Sequence, residues 1–383
     1  MPQRLKTDWI LFAAVLALVL FGLLIVYSAS SIMARLDARY NSSWYFVFRQ
    51  AGYAVVAVVV MMALKRTHYQ VFQNPAVAFS AIGVALMLLF AVYFVDAEHH
   101  RWMRLGGPVG VQPSELAKPA LVIFLAFFVT WRARAINDAK HTLVPAALAV
   151  GFLIFAVVVP DLGTAVVLGV AAMAVFFVAG LQWRYCFIVA AMALLGLVVS
   201  IFAEPYRLGR VIRFCDPTFR YVSRVDPHGW LKARAERTLR TRDTNYQLEQ
   251  SQIAVGAGGV GGVGLMNGRQ KLLYLPEAHT DFIYAVAGEE MGLIGTVGLL
   301  AGFLVILWRG LRAARRMRDD FGRYLALGVT VVIVVQGFIN MSVVLGIMPT
   351  KGIPLPMISY GGSSLVSTLA LLGILMNVSE HAG

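Results

Sequence analysis

Asp281 is the residue of this chain best placed to act as a general base. It follows the polar segment 275–280 and precedes an apolar run that begins at Phe282. A carboxylate at the mouth of a membrane-spanning helix is partly removed from water, which raises its pKa toward the range of a working base. Beside His279 and Thr280, it would meet a sugar hydroxyl brought to the lipid–water boundary. A helix-capping role is the alternative interpretation.

Charged residues close to the apolar runs form a second group of candidates, because a charge within the membrane is costly unless it is paired. Glu115 and Lys118 are three residues apart, so they share a helical face and can neutralise one another. Alternatively, Lys118 and the nearby Arg101 present positive charge to an anionic substrate group. Asp161, in the tight turn 160–164, is typical of a helix N-cap and could instead pair with an outer arginine.

Polar residues deeper in the apolar runs predict structural contacts. Glu289 and Glu290 lie about 12 Å below Asp281 on the same predicted helix. At that depth we expect them to be paired or protonated, with a structural role. Gln336 and Asn340, four residues apart, predict hydrogen bonds between helices.

The composition is that of a membrane protein. Of 383 residues, 59% are hydrophobic and only 14% are charged, and the mean hydropathy is +0.73, whereas soluble domains carry roughly 25% charged residues. The apolar runs are continuous rather than alternating, which excludes a β-barrel. The first run, 9–27, is too long for a signal-peptide core and predicts a retained anchor. The sequence therefore predicts an all-α polytopic membrane protein in one domain over 1–383.

About ten transmembrane helices account for the apolar runs, each near the roughly 20 residues that a span requires. The expected spans are 9–29, 45–64, 76–95, 114–131, 142–159, 163–181, 184–203, 281–308, 323–348 and 360–380. Only the break at 160–163 separates the fifth from the sixth, and a re-entrant pair is the alternative there.

Basic residues in the short loops predict that both termini are cytoplasmic. The cytoplasmic loops would then hold Arg4, Lys6, Lys65, Arg66, Arg132, Arg134, Lys140, Arg309, Arg312, Arg315, Arg316, Arg318 and Arg323. Three segments rich in polar residues, Gly and Pro then face outward, namely 96–113, the large extracytoplasmic loop 204–280, and 349–364. Their concentration on one side predicts an extracytoplasmic working surface.

The long loop has two distinct parts. Residues 230–242 predict a basic helix that is either a solvated or lipid-contacting face, or an attractor of a phosphate-bearing lipid. Residues 256–264 are rich in Gly but lack the Lys-Ser/Thr ending of a P-loop, so they predict close backbone approach or re-entrant backbone. Cys186 and Cys215 lie on opposite sides of the membrane, which excludes a disulfide between them.

Four strings occur in an order that resembles one known family. They are Arg101-Trp102 with Gln112-Pro113-Ser114-Glu115-Leu116-Ala117-Lys118, then Pro160-Asp161-Leu162-Gly163-Thr164, then Pro276-Glu277-Ala278-His279-Thr280-Asp281-Phe282-Ile283, and finally Pro349-Thr350-Lys351-Gly352 with Ile358-Ser359-Tyr360-Gly361-Gly362-Ser363-Ser364. Together they are similar to the SEDS family (shape, elongation, division and sporulation) of bacterial membrane proteins, over essentially the whole chain. Departures are a longer and more basic stretch at 216–247, and Gly262 where family members often carry an aromatic residue.

The resemblance implies a peptidoglycan glycosyltransferase that polymerises lipid II, the undecaprenyl-pyrophosphate-linked disaccharide peptide, on the outer face of the bacterial cytoplasmic membrane. It implies that Asp281 is the catalytic aspartate. Asp281 would take the proton of an acceptor hydroxyl, and undecaprenyl pyrophosphate would leave with inversion at the donor sugar. The predicted substrate-binding residues are Arg101, Trp102, Glu115, Lys118, Asp161, His279, Thr280, Lys351, Ser359, Tyr360, Gly361, Gly362, Ser363 and Ser364.

The resemblance also implies partners. These are a class B penicillin-binding transpeptidase and other membrane proteins of the division machinery, with no nucleic acid. The string 349–352 is more similar to division members of the family than to elongation members, which predicts a location at the division septum. A divalent cation such as Mg²⁺ could share in neutralising the pyrophosphate, although the sequence shows no dedicated cluster of ligands for one. A lipid II flippase and a noncatalytic scaffold that recruits a transpeptidase are the rival functions.

Overall fold

The computed structural model describes residues 7–37, 40, 42–96, 101–104, 110–216, 220–226, 229–231, 233, 243–272 and 274–382. This part of the chain is a bundle of long helices, joined by short turns at one end and by longer segments at the other. The helices are α1 (Trp9–Leu36), α2 (Tyr45–Arg66), α3 (Pro75–Val95), α4 (Pro113–Trp131), α5 (Val144–Val158), α6 (Leu162–Val178), α7 (Trp183–Ala203), α8 (Pro205–Cys215), α9 (Val222–Val225), α10 (Asp243–Gly258), α11 (Ile283–Arg316), α12 (Asp320–Val344) and α13 (Gly362–His381).

The membrane spans follow the hydropathy pattern. Within the described residues, nine helices are long and apolar enough to cross a membrane, when α5 is counted with the π-helical turn Ala139–Leu143 that precedes it. Helix α6, with 17 residues, is a shorter apolar helix. The fold class and the count of about ten spans are therefore confirmed. Helices α5 and α6 are separate elements on either side of 159–161, so the predicted division is correct. The even number of spans places both ends of the bundle on one side.

Several helices begin where the sequence supplies a capping side chain. Asp8, Asn74, Asp161 and Asp319 each precede a helix and accept a backbone N–H of its first turn, which satisfies a donor that has no partner within the helix. Pro75 follows Asn74 at a first helical position, where its missing N–H has no consequence. Short polar residues thus fix where these spans start.

The centre of the bundle is formed by α4, α12 and α13. Their most apolar windows are 78%, 72% and 72% buried within the protein, whereas that of α7 is 11% buried. Helix α12 packs against α4, α6, α11 and α13, and α13 packs along α2. Because α7 contacts mainly its neighbour α8, most of its surface faces the lipid.

Helix α11 is kinked, and the Gly-rich segment explains how the kink is held. Gly292 has a φ of 63°, which interrupts the helix. Backbone bonds cross to the segment at that point: Val263 N to Glu289 O at 3.0 Å, Gly264 N to Glu290 O at 3.0 Å, and Leu293 N to Gly259 O at 2.9 Å. The predicted close backbone approach is confirmed. Most of the predicted basic helix 230–242, and Arg4 and Lys6, lie outside the described residues.

Candidate active site: a charged cavity at the outer end of the bundle

A cavity of about 1100 Å³ opens at the end of the bundle that carries the longer segments. Residues from all three segments predicted to face outward line it, together with the turn between α5 and α6. Among the described residues, four acidic and four basic side chains face it: Asp161, Glu204, Glu277, Asp281, Arg101, Arg207, Arg210 and Lys351. The sequence separates these groups by up to 250 positions, and the fold brings them to one surface.

Asp281 lies on the cavity wall directly before α11. The N-cap of α11 is Phe282, and no side chain caps the helix. Among the described residues the Asp281 carboxylate accepts no hydrogen bond, whereas its backbone oxygen accepts one from Asn340 Nδ2 at 2.8 Å. The capping alternative is thus not what the structure shows. Asn340 holds the main chain of Asp281 and leaves the carboxylate free toward the cavity.

The cavity raises the pKa of Asp281 to about 6. Burial is the largest cause, because it disfavours the charged carboxylate, and the negative charges of Glu277 and Asp161 act in the same direction. Arg101 and Arg210 oppose the shift through their positive charge. A carboxylate with a pKa near 6 is mostly ionised at neutral pH and is a stronger base than an ordinary aspartate.

Gly352 forms the floor beneath this carboxylate. A methyl group at Gly352 would lie 2.6 Å from Asp281 Oδ2, closer than real contacts allow. The loop that carries Gly352 is in turn held by α12, since Asn340 Nδ2 donates to Ile353 O at 2.7 Å. The same asparagine therefore ties both the base and the loop that faces it.

Arg101 and Trp102 reach the cavity from the segment after α3. Their backbone N–H groups both donate to Asp96 Oδ2 at 3.1 Å. Trp102 is 39% exposed, and its ring covers Gly110 in the short hairpin of β1 (Met103–Arg104) and β2 (Gly110–Val111). Asp96 thus fixes the turn that presents an arginine and an aromatic ring side by side.

Arg207 and Arg210 are cavity residues that the sequence argument did not single out. Both lie on α8, where arginines recur at every third position up to Arg213, and this spacing was the available signal. Arg210 Nη1 donates to Thr350 O at 3.0 Å, and Arg207 Nη2 donates to Val159 O at 2.7 Å. Burial lowers the pKa of Arg210 to about 10, so it remains charged.

Lys351 lies between the two arginines of α8 and Asp161. Its Nζ is buried and makes no hydrogen bond within the described part of the chain. Burial lowers its pKa to about 7; Asp161 opposes this shift, and the neighbouring arginines add to it. A buried lysine without a hydrogen-bond partner, beside two guanidinium groups, is a place where an anion would favour the protonated amine and be stabilised by it.

The segment 359–364 borders the cavity beside the turn 277–281. Ser359 Oγ donates to Thr280 O at 2.6 Å, and Tyr360 N donates to His279 O at 2.9 Å. Gln50 on α2 binds both Ser359 O and Gly361 N, each at 3.1 Å. Tyr360, Gly361, Ser363 and Ser364 line the cavity, whereas Ser359 and Gly362 lie behind it.

His279 and Thr280 differ in their positions. Thr280 lines the cavity, and its hydroxyl donates to Glu277 Oε2 at 2.7 Å. The His279 ring packs against Phe46, with 4.9 Å between ring centroids, and is not among the described residues that line the cavity. Burial lowers the pKa of His279, which favours the neutral ring. The histidine packs against α2, and the threonine faces the cavity.

Glu115 and Lys118 form the predicted ion pair, at 2.7 Å, and both are buried in α4. Lys118 Nζ also donates to Gln336 Oε1 at 2.7 Å, which confirms the predicted interhelical bond of Gln336. Asn340 instead binds loop carbonyls. Neither Glu115 nor Lys118 is among the described residues that line the cavity, so the structure places Lys118 beneath the site rather than in it.

The predicted N-cap role of Asp161 is confirmed, whereas no ion pair between Asp161 and an arginine is present among the described residues. It caps α6, accepting Thr164 N at 3.1 Å and Thr164 Oγ1 at 2.7 Å, and it also lines the cavity. Gln112 Nε2 donates at 3.3 Å to Asp161 Oδ2, the oxygen that also accepts the Thr164 hydroxyl. Because these bonds occupy both carboxylate oxygens, Asp161 is less free than Asp281 to accept a proton.

Comparison with known proteins places this architecture. The family model described as Cell cycle protein, which groups FtsW, RodA and SpoVE, matches residues 8–383. The Probable peptidoglycan glycosyltransferase FtsW of Geobacter sulfurreducens is 38% identical, over 98% of this chain and 96% of its own length. Stage V sporulation protein E of Bacillus subtilis is 34% identical, over 99% of both chains.

Solved structures agree over the full length. A chain from a peptidoglycan synthase complex that coordinates polymerization and crosslinking is 28% identical, with a TM-score of 0.72 over 98% of each chain. The rod shape determining protein RodA of Thermus thermophilus is 25% identical, with a TM-score of 0.66 over 98% of each chain. The expected SEDS resemblance is confirmed, and this chain belongs to the FtsW, RodA and SpoVE family of cell cycle proteins.

Proposed function

We propose that this chain is a peptidoglycan glycosyltransferase that polymerises lipid II into β-1,4 glycan strands at the outer face of the cytoplasmic membrane. The observation that carries the proposal is Asp281, a carboxylate with a pKa of about 6 that caps no helix. It lies in an outward cavity with basic side chains, three of which have a buried nitrogen without a hydrogen-bond partner among the described residues. The names of its FtsW relatives support the same activity.

In the proposed reaction Asp281 accepts the proton of the acceptor GlcNAc 4-hydroxyl. That oxygen forms a bond to the anomeric carbon of the donor MurNAc, and the bond from this carbon to the pyrophosphate breaks. The electron pair leaves with undecaprenyl pyrophosphate, and the configuration inverts. One base and direct displacement are sufficient for an inverting transfer.

Arg101, Arg210 and Lys351 neutralise the pyrophosphate in this proposal. Each has a buried side-chain nitrogen without a hydrogen-bond partner among the described residues, and all three line the cavity with Asp281. Preorganised cations stabilise the charge that develops on a leaving group. Lys118, predicted for this role, is engaged by Glu115 and Gln336 and would act by supporting the loop 349–356 from beneath.

The described part of the chain offers no dedicated protein site for a divalent cation such as Mg²⁺. The described residues contain no group of three His, Cys, Asp or Glu side chains that could hold one, and hydrogen bonds already occupy Asp161. No step is assigned to a cation.

We also propose the setting of the reaction. A class B penicillin-binding transpeptidase and other membrane proteins of the division machinery are the proposed partners, and the division septum is the proposed location. The similarity to FtsW proteins favours a division role over elongation, and the similarity to a chain of a peptidoglycan synthase complex favours a transpeptidase partner.

The test is polymerisation of labelled lipid II by the purified protein, with its transpeptidase, in detergent or vesicles. Asp281→Asn should abolish glycan chains while lipid II binding and folding persist. Asp320→Asn is the matched control. The side chain of Asp320 is 48% exposed, and Asp320 begins α12, at the opposite end of that helix from the residues that line the cavity. Near-normal polymer from Asp281→Asn would refute the proposal. If the wild-type protein moves lipid II across vesicle membranes without making glycan chains, it is a flippase. If it does neither, it is a scaffold.

A further inference from the structure

A buried ionic cluster joins three separate parts of the chain just below the cavity end of α11. Lys271 Nζ lies 2.5 Å from Glu290 Oε1 and 2.7 Å from Ser28 Oγ. Ser28 Oγ in turn donates to Glu290, at 2.6 and 2.8 Å to its two oxygens. Ser28 and Glu290 are 1% exposed and Lys271 is 4% exposed. The cluster therefore links α1, α11 and the segment that follows α10 without contact with water.

Glu289, which precedes Glu290 on α11, also binds the segment that follows α10. Glu289 Oε1 accepts the backbone N–H of Arg269 at 2.7 Å and of Gln270 at 3.2 Å. A methyl group at Gly268 would lie 2.9 Å from Glu289 Oε2, so the segment passes directly over this carboxylate. Glu289 thus binds the backbone of Arg269 and Gln270, and Glu290 binds the side chain of the next residue, Lys271.

In the sequence, Asp281 lies between Lys271 and Glu290, two residues of the ionic cluster. Lys271 precedes it by ten residues and Glu290 follows it by nine, so the cluster closes the base of a loop that carries Asp281 near its tip. Above the base, Leu275 N donates to Gln270 O at 2.8 Å, and Thr280 N donates to Glu277 O at 3.1 Å. A shift at the base would be transmitted through these turns to the carboxylate.

The energetics favour a positional role over a purely stabilising one. A buried ion pair gains little net stability relative to apolar side chains of similar size, because desolvation of both charges is costly. Loss of one partner is severe, because the other charge is left buried. The main effect of such a cluster is therefore to fix the relative positions of the segments that it joins.

We propose that Lys271, Glu290 and Ser28 are positioning residues that set the place of Asp281 in the cavity; this inference rests on the proposed function of Asp281. The cluster fixes the loop 271–281 against α1 and α11, so that the carboxylate faces the acceptor hydroxyl. None of the three touches the substrate. Their effect is therefore on the turnover step, since a displacement of about 1 Å at a reacting group costs up to about a hundredfold in rate.

The kinetic test compares Lys271→Met with Lys65→Met in glycan synthesis from labelled lipid II, with the transpeptidase present. Lys65 forms a matched, largely buried ion pair with Glu380, at 3.2 Å, at the cytoplasmic end. We expect Lys271→Met to lower kcat at least about tenfold with KM changed less than threefold, at a thermal stability similar to that of Lys65→Met. Adding Glu290→Gln should restore part of kcat, because no unpaired charge then remains. Equal kcat in the two single variants would overturn the proposal.

A second measurement is independent of activity. A nitroxide at Tyr274→Cys, a position 55% exposed, reports the mobility of the loop in a background of Cys186→Ser and Cys215→Ser. Lys271→Met should mobilise the label, and Lys65→Met should not; an unchanged spectrum in Lys271→Met would contradict the cluster's role. If Asp281→Asn proves active while the label is mobilised, the proposed function fails and the fastening of the loop stands.

Discussion

Asp281 differs from Asp161, Glu289 and Glu290 in what its carboxylate is left free to do. Asp161 caps a helix, Glu289 binds backbone N–H groups, and Glu290 is paired with Lys271. Asp281 is held through its backbone oxygen by Asn340, and its side chain faces the cavity. Holding a residue by its main chain preserves the basicity of its side chain, which is the property that proton removal requires.

The pH dependence of turnover should reflect this residue. Because the pKa of Asp281 is about 6 and the base must be ionised, kcat/KM should fall about tenfold for each pH unit below 6. It should fall again above pH 7, as Lys351, with a pKa of about 7, loses the charge proposed to neutralise the pyrophosphate. Glycan synthesis measured from pH 5 to 8 tests this. A level profile down to pH 5 would contradict the assignment, provided that the protein stays folded over that range.

The stability of the wild type, relative to that of Asp281→Asn, should fall as pH rises. The folded-state pKa, about 6, lies above the ordinary 3.8, so the stability that protonated Asp281 contributes is complete below pH 3.8 and is lost as pH rises through 6. The asparagine side chain does not ionise, so the variant does not lose this stability as pH rises. The variant should therefore exceed the wild type at pH 8 by up to about 3 kcal/mol, with the difference shrinking toward pH 4. Unfolding in detergent at both pH values measures it; a difference independent of pH would contradict the raised pKa.

Gly352→Ala should displace the base without altering its chemistry. The added methyl group would lie 2.6 Å from Asp281 Oδ2, so the carboxylate must move. We expect kcat to fall at least about tenfold, with lipid II binding retained. Gly196→Ala on α7 is the control, since nothing lies within 4 Å of its added methyl group. Equal activity of the two variants would show that the floor of the cavity tolerates displacement.

At the level of elements, the kink of α11 depends on an unusual partner. A backbone ladder to residues 259–264 replaces the helical bonds that Gly292 interrupts. The ladder requires glycine on the other side as well, because Gly262 has a φ of 79° and its Cβ would lie 2.1 Å from Glu290 O. Family members often carry an aromatic residue at this position, whereas here the close contact with Glu290 O leaves no room for a side chain.

Gly262→Ala and Gly261→Ala form a matched pair that tests the ladder. Alanine at 262 meets both the backbone contact and the left-handed conformation, and it should destabilise the protein by at least about 2 kcal/mol. Alanine at 261 has nothing within 4 Å and should be nearly neutral. Thermal unfolding of the two purified variants compares them directly, and similar midpoints would mean that the ladder contributes little.

Prediction succeeded where the signal was local and failed where it was not. The Glu115–Lys118 pair follows from helical spacing alone, and the cap at Asp161 follows from the residue type before a helix. Lys271 carried no such signal, because its partners Ser28 and Glu290 are distant in sequence. The arginines of α8 had a spacing signal, but only the packing of α8 against the loop 349–352 gives them a role in the cavity.

For the whole molecule, the orientation in the membrane can be tested with its own cysteines. Cys215 is exposed at the end of α8, on the side of the cavity, and Cys186 is buried near the opposite end of α7. A membrane-impermeant maleimide added to intact spheroplasts should label Cys215, and Cys215→Ser should abolish the labelling. Labelling only after permeabilisation would place the cavity on the cytoplasmic side and contradict the proposed function.

Composition and local pattern were enough to establish a polytopic helical membrane protein, its spans and caps, and a candidate base at a helix mouth, because hydropathy, helical spacing and capping act over a few residues. The cavity, the freedom of Asp281 beside Arg210 and Lys351, and the fastening of its loop by Lys271 required the folded chain. These features depend on contacts between segments that the sequence keeps far apart. Asp281 was recognisable as an acid at a membrane boundary, and the packing around it shows why that acid, rather than Asp161, remains free to accept a proton.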